Sequence, residues 1–334
     1  MTPAPQYSAD WEAVSNTINK GNRFLITTHL QADPDALGSE IALSEALRSI
    51  GKETLILNPS PLSHNYTFID RRNEINAFEK GKAFPGDKID GVFILDISRW
   101  ERLGGLADLI RDSGKPKTCI DHHPYTGGHA DYHLVNVQAC ASAEIVYDLV
   151  SYLNIPITRS IAEPLYTAIL SDTGSFSFSN TSARAHQIAV ELMNYDVPCR
   201  SIFEQLYQNH SPERLKFMGK VLSTLQLDCG QKLAWITIPN KLLQDNSIHP
   251  DDVEGFVDLA RNCRNVLLSV VFLEVEPDDV KISLRAKGTF NASQLAAKFG
   301  GGGHNHASGI RLAGSLPEIE KAVLTEARKD LEGC

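Results

Sequence analysis

Residues 119 to 124 read CIDHHP, an acid and two histidines at the end of the apolar run KTCI. Each of these side chains is costly to bury without a partner, so their placement asks for one. Two other apolar runs close on the same kinds of residue: FLITT ends at His29 and VFIL ends at Asp96. Behind His29 the chain reads LQADPDALGS, adding Asp33 and Asp35, and Asp172 follows the apolar stretch YTAIL in ILSDTGSF. Taken singly, Asp33 reads equally well as the N-cap of a helix beginning near Ala36, and Asp172 as the organiser of a DTG turn. Taken together, four or five carboxylates at one place would repel each other and be driven to protonate unless cations held them. Two divalent ions would set four positive charges against Asp33, Asp35, Asp96 and Asp172, with His29 and one of the paired histidines as nitrogen ligands. Mixed oxygen and imidazole ligation without thiolate suits Mn²⁺ or another first-row ion better than an all-oxygen Mg²⁺ cage.

The elements needed to gather these residues are written in the periodicity. From residue 24 to about 190, RFLITTH, ALGSEIALSEALRSI, ETLILN, DGVFILD, KTCIDHH and AEIVYDLVSYL alternate short apolar runs with amphipathic stretches. That pattern predicts an α/β fold, a parallel sheet with helices on both faces, in which ligands collect beyond the carboxyl ends of the strands. Residues 182–227 are helix-like throughout, and SPER starts one of these helices with Ser211 as N-cap and Pro212 at the first helical position. The remainder reads strand KLAWITIP, helix DVEGFVDLARN, strands VLLSVVFLEVE and VKISLRAKG, helix NASQLAAKFG, a glycine loop at 300–303, strand GIRLAG and a closing helix. The expected division is a catalytic domain over 1–190, a helical linker over 191–227 and a smaller α/β domain over 228–334.

Composition narrows the class. A chain of 334 residues with 42% apolar and 22% charged residues has ordinary globular composition and room for two cores. No run approaches the roughly 20 apolar residues of a membrane span, and the first residues, MTPAPQYSADWEAV, lack a basic stretch followed by an apolar one. Six scattered cysteines without a CxxC pair argue against both a zinc ribbon and a disulfide framework. These features point to the cytoplasm. A net charge of −9 argues against a broad basic surface tracking long nucleic acid.

HLQADPDALGS, FILDISRWERLG, CIDHHP and LSDTGSFSF, in that order, resemble the four motifs of the DHH phosphoesterase superfamily, and FGGGGHNHASG resembles the glycine-rich signature of its companion DHHA1 domain. The likeness spans about residues 20 to 330. Its two-domain size and the ending SLRAKGTFNASQLAAKFGGGGH are similar to the RecJ-like nanoRNA hydrolases, the group of bifunctional oligoribonucleases and pAp phosphatases. The resemblance implies that His29 and Asp33 hold one Mn²⁺, that Asp35, His122 and Asp172 hold a second, and that Asp96 bridges them. It further implies that Asp121 orients a histidine, that His123 meets the substrate phosphate, and that Arg285, His304 and the amides of Gly301, Gly302 and Gly303 contact substrate. The implied substrates are short oligoribonucleotides and 3′-phosphoadenosine 5′-phosphate (pAp). The oligomeric state is left open, a homodimer being compatible with the sequence. The histidines outside these motifs, His64, His129, His133, His186, His210 and His249, read as surface or satisfied core residues.

Two other readings compete. A manganese pyrophosphatase or exopolyphosphatase would use the same ligands, but a polyanion site should be rich in Lys and Arg where the second domain matches one arginine and one histidine. A non-catalytic nucleotide-binding protein on the same fold ranks last because every metal position is filled. Turnover of pApA or cyclic dinucleotides is not separable from the first reading by sequence.

Overall fold

The computed structural model describes residues 9–332 apart from 83, 98, 124–127 and 129; Pro124, His129 and Cys334 lie outside the described residues. The chain divides into two compact units, Met1–Asn209 and His210–Cys334. The stretch 191–227 that reads as one connector is shared between them.

The first unit is built on six parallel strands: β1 (Arg23–Thr27), β2 (Glu53–Asn58), β3 (Ile75–Ala77), β4 (Gly91–Leu95), β5 (Lys117–Asp121) and β6 (Tyr132–Val135), in the order β3-β2-β1-β4-β5-β6. Every residue of β4 is buried, as expected where helices cover both faces of a parallel sheet. Phe24, Ile26, Phe93 and Ile120 pack on one face against α1 (Ala9–Lys20), α2 (Pro34–Ser49), α4 (Ser142–Tyr152), α5 (Arg159–Asp172), α6 (Ala183–Met193) and α7 (Cys199–Tyr207). Leu25, Val92 and Ile94 pack on the other against a 3₁₀ segment, Trp100–Leu106, and α3 (Ala107–Asp112). The order of strands reverses between β1 and β4. Their carboxyl ends therefore flank the crevice where open α/β sheets take their ligands. Helices α2 and α5 approach so closely that a Cβ on Gly38 would lie 2.4 Å from the carbonyl oxygen of Pro164. A larger residue at 38 would push apart the two helices that carry Asp35 and Asp172.

The second unit holds α8 (Pro212–Leu222), β7 (Gln226–Asp228), β8 (Leu233–Ile238), α9 (Asn240–Asp245), α10 (Phe256–Arg261), β9 (Leu268–Glu276), β10 (Asp279–Ala286), α11 (Ala292–Ala297), β11 (Gly302–His304), β12 (Ala307–Ala313) and α12 (Leu316–Glu332). The strands form one sheet in the order β11-β12-β10-β9-β8-β7, antiparallel except for β8–β9. Ser211 caps α8 through Arg214 N, with Pro212 in the first turn as expected.

Two expectations need correction. The single helix read in DVEGFVDLARN is a 3₁₀ turn, Pro250–Val253, and then α10, separated by Gly255 at φ 85°. That left-handed residue, with no Cβ to strain, breaks the helix that the apolar period suggested. The glycine run is not a loop throughout, because Gly302–His304 pair with β12 as a strand. A Cβ on Gly301 would lie 2.3 Å from Gly309 O, so glycine is required there for strand approach. No helix among the described residues is long and apolar enough to cross a membrane.

Candidate metal centre

The carboxyl ends of β1, β4 and β5 deliver His29, Asp96 and the Asp121–His123 segment to one place, and α2 and α5 bring Asp33, Asp35 and Asp172 to it. His29 Nε2 lies 3.3 Å from Asp96 Oδ2 and 4.0 Å from Asp33 Oδ2. His122 Nε2 lies 3.5 Å from Asp96 Oδ1, 3.8 Å from Asp35 Oδ2 and 3.8 Å from Asp172 Oδ2. The two oxygens of Asp96 thus face two separate groups of donors. Asp96 reaches this position with φ at 55°, a conformation unusual for a residue with a side chain and often found where function demands it.

Each ligand candidate is held by neighbours. Asp33 Oδ1 caps α2 by accepting from Asp35 N at 3.0 Å and Ala36 N at 3.1 Å, which leaves Oδ2 for His29. Asp35 accepts from the amides of Ser142 (2.7 Å) and Ala143 (3.1 Å), the first turn of α4, and from Ser39 Oγ. Ser142 Oγ donates to Asp96 Oδ1 at 3.0 Å. Asp172 is the last residue of α5, and Asn180 Nδ2 donates to both its carbonyl oxygen and Oδ2. Asp121 Oδ1 accepts from His123 Nδ1 at 2.8 Å and from His123 N at 3.0 Å.

The electrostatics ask for cations. Burial, then the neighbouring Asp96 and Asp172, pushes the Asp35 carboxyl well above its usual range. Asp96 is held well below its own against burial, by the imidazoles of His123 and His29. Burial opposes a charge on His123, but hydrogen bonds to Asp121 and Asp96 carry its pKa well above the ordinary value. The cluster therefore has to hold protons on some members when no metal is bound. Among the described residues, the buried atoms His29 Nε2 and Asp121 Oδ2 find no hydrogen-bond partner. His29 Nδ1 lies 2.9 Å from both Leu30 O and Arg102 Nη2, contacts that demand opposite tautomers, and only the proton shared with Leu30 O leaves the Nε2 lone pair for a cation. Cys140, whose thiol burial and Glu144 push far up, adds no thiolate. An oxygen-and-imidazole donor set with an orphaned, buried imidazole nitrogen fits divalent first-row ions.

The DHH family N-terminal domain matches residues 23–169, and the DHHA1 domain matches residues 230–332. A bifunctional oligoribonuclease and PAP phosphatase NrnA from Thermus thermophilus is 30% identical over 98% of this chain and 97% of its own length. The chain belongs to the DHH family. The NrnA protein of Bacillus subtilis, with the same description, is 28% identical over 89% of this chain and 91% of its own. A solved exopolyphosphatase-related protein from Bacteroides fragilis superposes with a TM-score of 0.89 at 25% identity, covering 97% of this chain and 98% of that one. This DHH protein is accordingly a hydrolase of phosphoester bonds.

In the DHHA1 unit, Arg285 of β10 pairs in register with Ala307 of β12, which pairs with His304 of β11. Residues directly opposite in an antiparallel sheet share a face, so Arg285 and His304 stand on one face with only the small Ala307 between them. Arg285 Nε lies 3.4 Å from Asp258 Oδ1 of α10, and its Nη1 donates to Leu284 O. The expected free amide at Gly301 is corrected: Gly301 N donates to Ala296 O, closing the end of α11 behind the left-handed Gly300. Gly303 is exposed on the edge strand, while Gly302 pairs with Gly309. Sequence reasoning missed Ser142, Asn180 and Arg102. The only signal for the first two was a serine opening an amphipathic stretch in ASAEIV and an asparagine eight residues after Asp172.

Proposed function

We propose that this protein hydrolyses short oligoribonucleotides to mononucleotides and pAp to AMP, in the cytoplasm, with two divalent ions, Mn²⁺ fitting the donor set best. The observation that carries the reading is Asp96, whose two carboxylate oxygens face His29 and Asp33 on one side and His122, Asp35 and Asp172 on the other. A carboxylate so placed is suited to be shared by a metal pair, with His29 and Asp33 completing one set and Asp35, His122 and Asp172 the other. The relatives named as oligoribonucleases and PAP phosphatases supply the substrate class.

When bound, such ions supply water activation at neutral pH and neutralisation of phosphoryl charge. The chain's own residues do the rest. Asp35 is fixed by the α4 amides and Asp172 by Asn180, so the ligands need little reorganisation when substrate arrives. His123 Nδ1 is committed to Asp121, so hydrogen bonding to the phosphate, or proton delivery to the ribose oxygen that leaves, falls to its Nε2. Arg285 and His304 lie far in sequence from every ligand candidate and suit recognition of a terminal phosphate or nucleotide.

Turnover of a panel with Mn²⁺ tests the reading: RNAs of two to five nucleotides, pAp, pApA, cyclic di-AMP and pyrophosphate. The short RNAs should yield mononucleotides and pAp should yield AMP. Hydrolysis of pyrophosphate alone would replace this function with that of a pyrophosphatase.

A further inference from the structure

Away from the metal ligands, the first unit contains a cavity of about 360 Å³ between α2, α5 and the turn at 68–74. Its apolar lining is Ile41, Phe68, Ile69 and Pro164. Around it stand Arg71, Arg72 and Arg159, whose side chains are 61%, 62% and 54% exposed, over Glu45 and Glu163, which are only 10% and 13% exposed. Glu163 is shared by Arg71 and Arg159, and Glu45 by Arg72 and Arg48; Arg48 also pairs with Glu74. The buried carboxylates are thus each held by two guanidiniums, and what remains outward is guanidinium, with donors left over for an oxyanion such as phosphate. Arg159 and Ser160 form the first turn of the 14-residue α5, whose N-terminus has no side-chain cap. Pro164 has no N–H to give, so the carbonyl of Ser160, also on the lining, lacks its usual helical donor.

An apolar floor with an aromatic ring and an arginine rim at an uncapped helix N-terminus together suit a phosphate joined to a flat base. We propose that this cavity is a second nucleotide site, taking a nucleoside monophosphate such as AMP with its phosphate at Arg71, Arg72 and Arg159 and its base over Phe68 and Pro164. Naming a mononucleotide rests on the hydrolase reading, since it is the product of that reaction; the site itself does not. The walls are the far portions of the same two helices that carry Asp35 and Asp172. Ile41 and Glu45 lie six and ten residues beyond Asp35, roughly 9 and 15 Å along α2, and Arg159 is at the opposite end of α5 from Asp172.

The test is calorimetric titration of AMP into the full chain held in EDTA, which keeps the metal centre and turnover out of the measurement. AMP should bind, and Arg71→Gln/Arg159→Gln should raise its Kd by roughly tenfold or more. Arg72→Gln, which leaves Glu45 its partner Arg48, should weaken binding in the same direction without orphaning a buried carboxylate. Arg285→Ala should leave this binding in place. Absence of AMP binding, or binding lost in Arg285→Ala and intact in both cavity variants, overturns the proposal. Inorganic phosphate binding as tightly as AMP would overturn the nucleotide assignment. None of these readouts involves hydrolysis, so failure of the proposed function would not imitate failure of this site.

Discussion

Asp33 performs two duties with one carboxylate: Oδ1 caps α2 and Oδ2 faces His29. Read from sequence, capping and metal ligation look like alternatives, yet a carboxylate has acceptor sites enough for both. Types and spacing were therefore sufficient to find the ligand candidates but not the residues that hold them. Ser142, Asn180 and Arg102 are ordinary polar residues whose roles exist only once distant segments meet. If Asp96 is shared by both ions, Asp96→Ala should abolish turnover and leave fewer than two Mn²⁺ per chain, read by elemental analysis beside activity. The control His133→Ala should change neither. Arg285→Ala belongs to the same scale but should behave differently. Metal content should stay intact while kcat/KM for a dinucleotide bearing a terminal phosphate falls roughly ten- to a hundredfold, the contribution of one charge-assisted contact. An equal loss on an unphosphorylated dinucleotide would show that Arg285 supports the fold through Asp258 instead.

At the scale of elements, the strongly apolar strands β1, β4 and β5 were legible because both their faces are buried. The edge strands β3 and β6, three and four residues long, leave too short a pattern to be read. The ends of α4 and α11 were also opaque. Asp35 serves the N-terminus of α4 from another helix, and Gly301 spends its amide closing α11. Helix α2 hides a further feature, Glu40, fully buried and bonded through Asn58, which in turn accepts from Thr28 N beside His29. Burial raises the Glu40 pKa from 4.5 to about 8, the Asn58 hydrogen bond opposing and Asp70 adding to the rise. The folded chain thus keeps a proton that the unfolded chain releases near 4.5, so stability falls as pH rises through that window and levels off above about 8. Glu40→Gln retains an acceptor for Asn58 and removes the titration. Its melting temperature should match the parent's near pH 4.5 and exceed it at pH 8, by an amount on the order of a few kcal/mol in stability. A parallel pH dependence in both proteins would show that Glu40 is not the group responsible.

At the scale of the molecule, an acidic chain of net charge −9 carries a metal-type centre in one unit and, in the other, the row of Arg285, Ala307 and His304. Two α/β blocks joined through helices were readable from the change in texture along the chain. Which of those helices packs with which block was not, because amphipathic helices do not name their partners: α7 contributes Ile202 to the first core, and α8 contributes Phe217 and Val221 to the second unit. Under the proposed function, recognition is confined to a few groups, so binding energy should saturate after a few nucleotides, and a longer RNA should gain nothing from a chain of net charge −9. The most direct measurement of the proposed function is the initial rate on a dinucleotide against that on an RNA of about 24 nucleotides, at equal concentration with Mn²⁺, a length chosen to exceed by far what a pocket of ordinary size encloses. The dinucleotide should be cleaved faster; faster cleavage of the long RNA would contradict the account and mark the protein as an exonuclease that tracks its substrate.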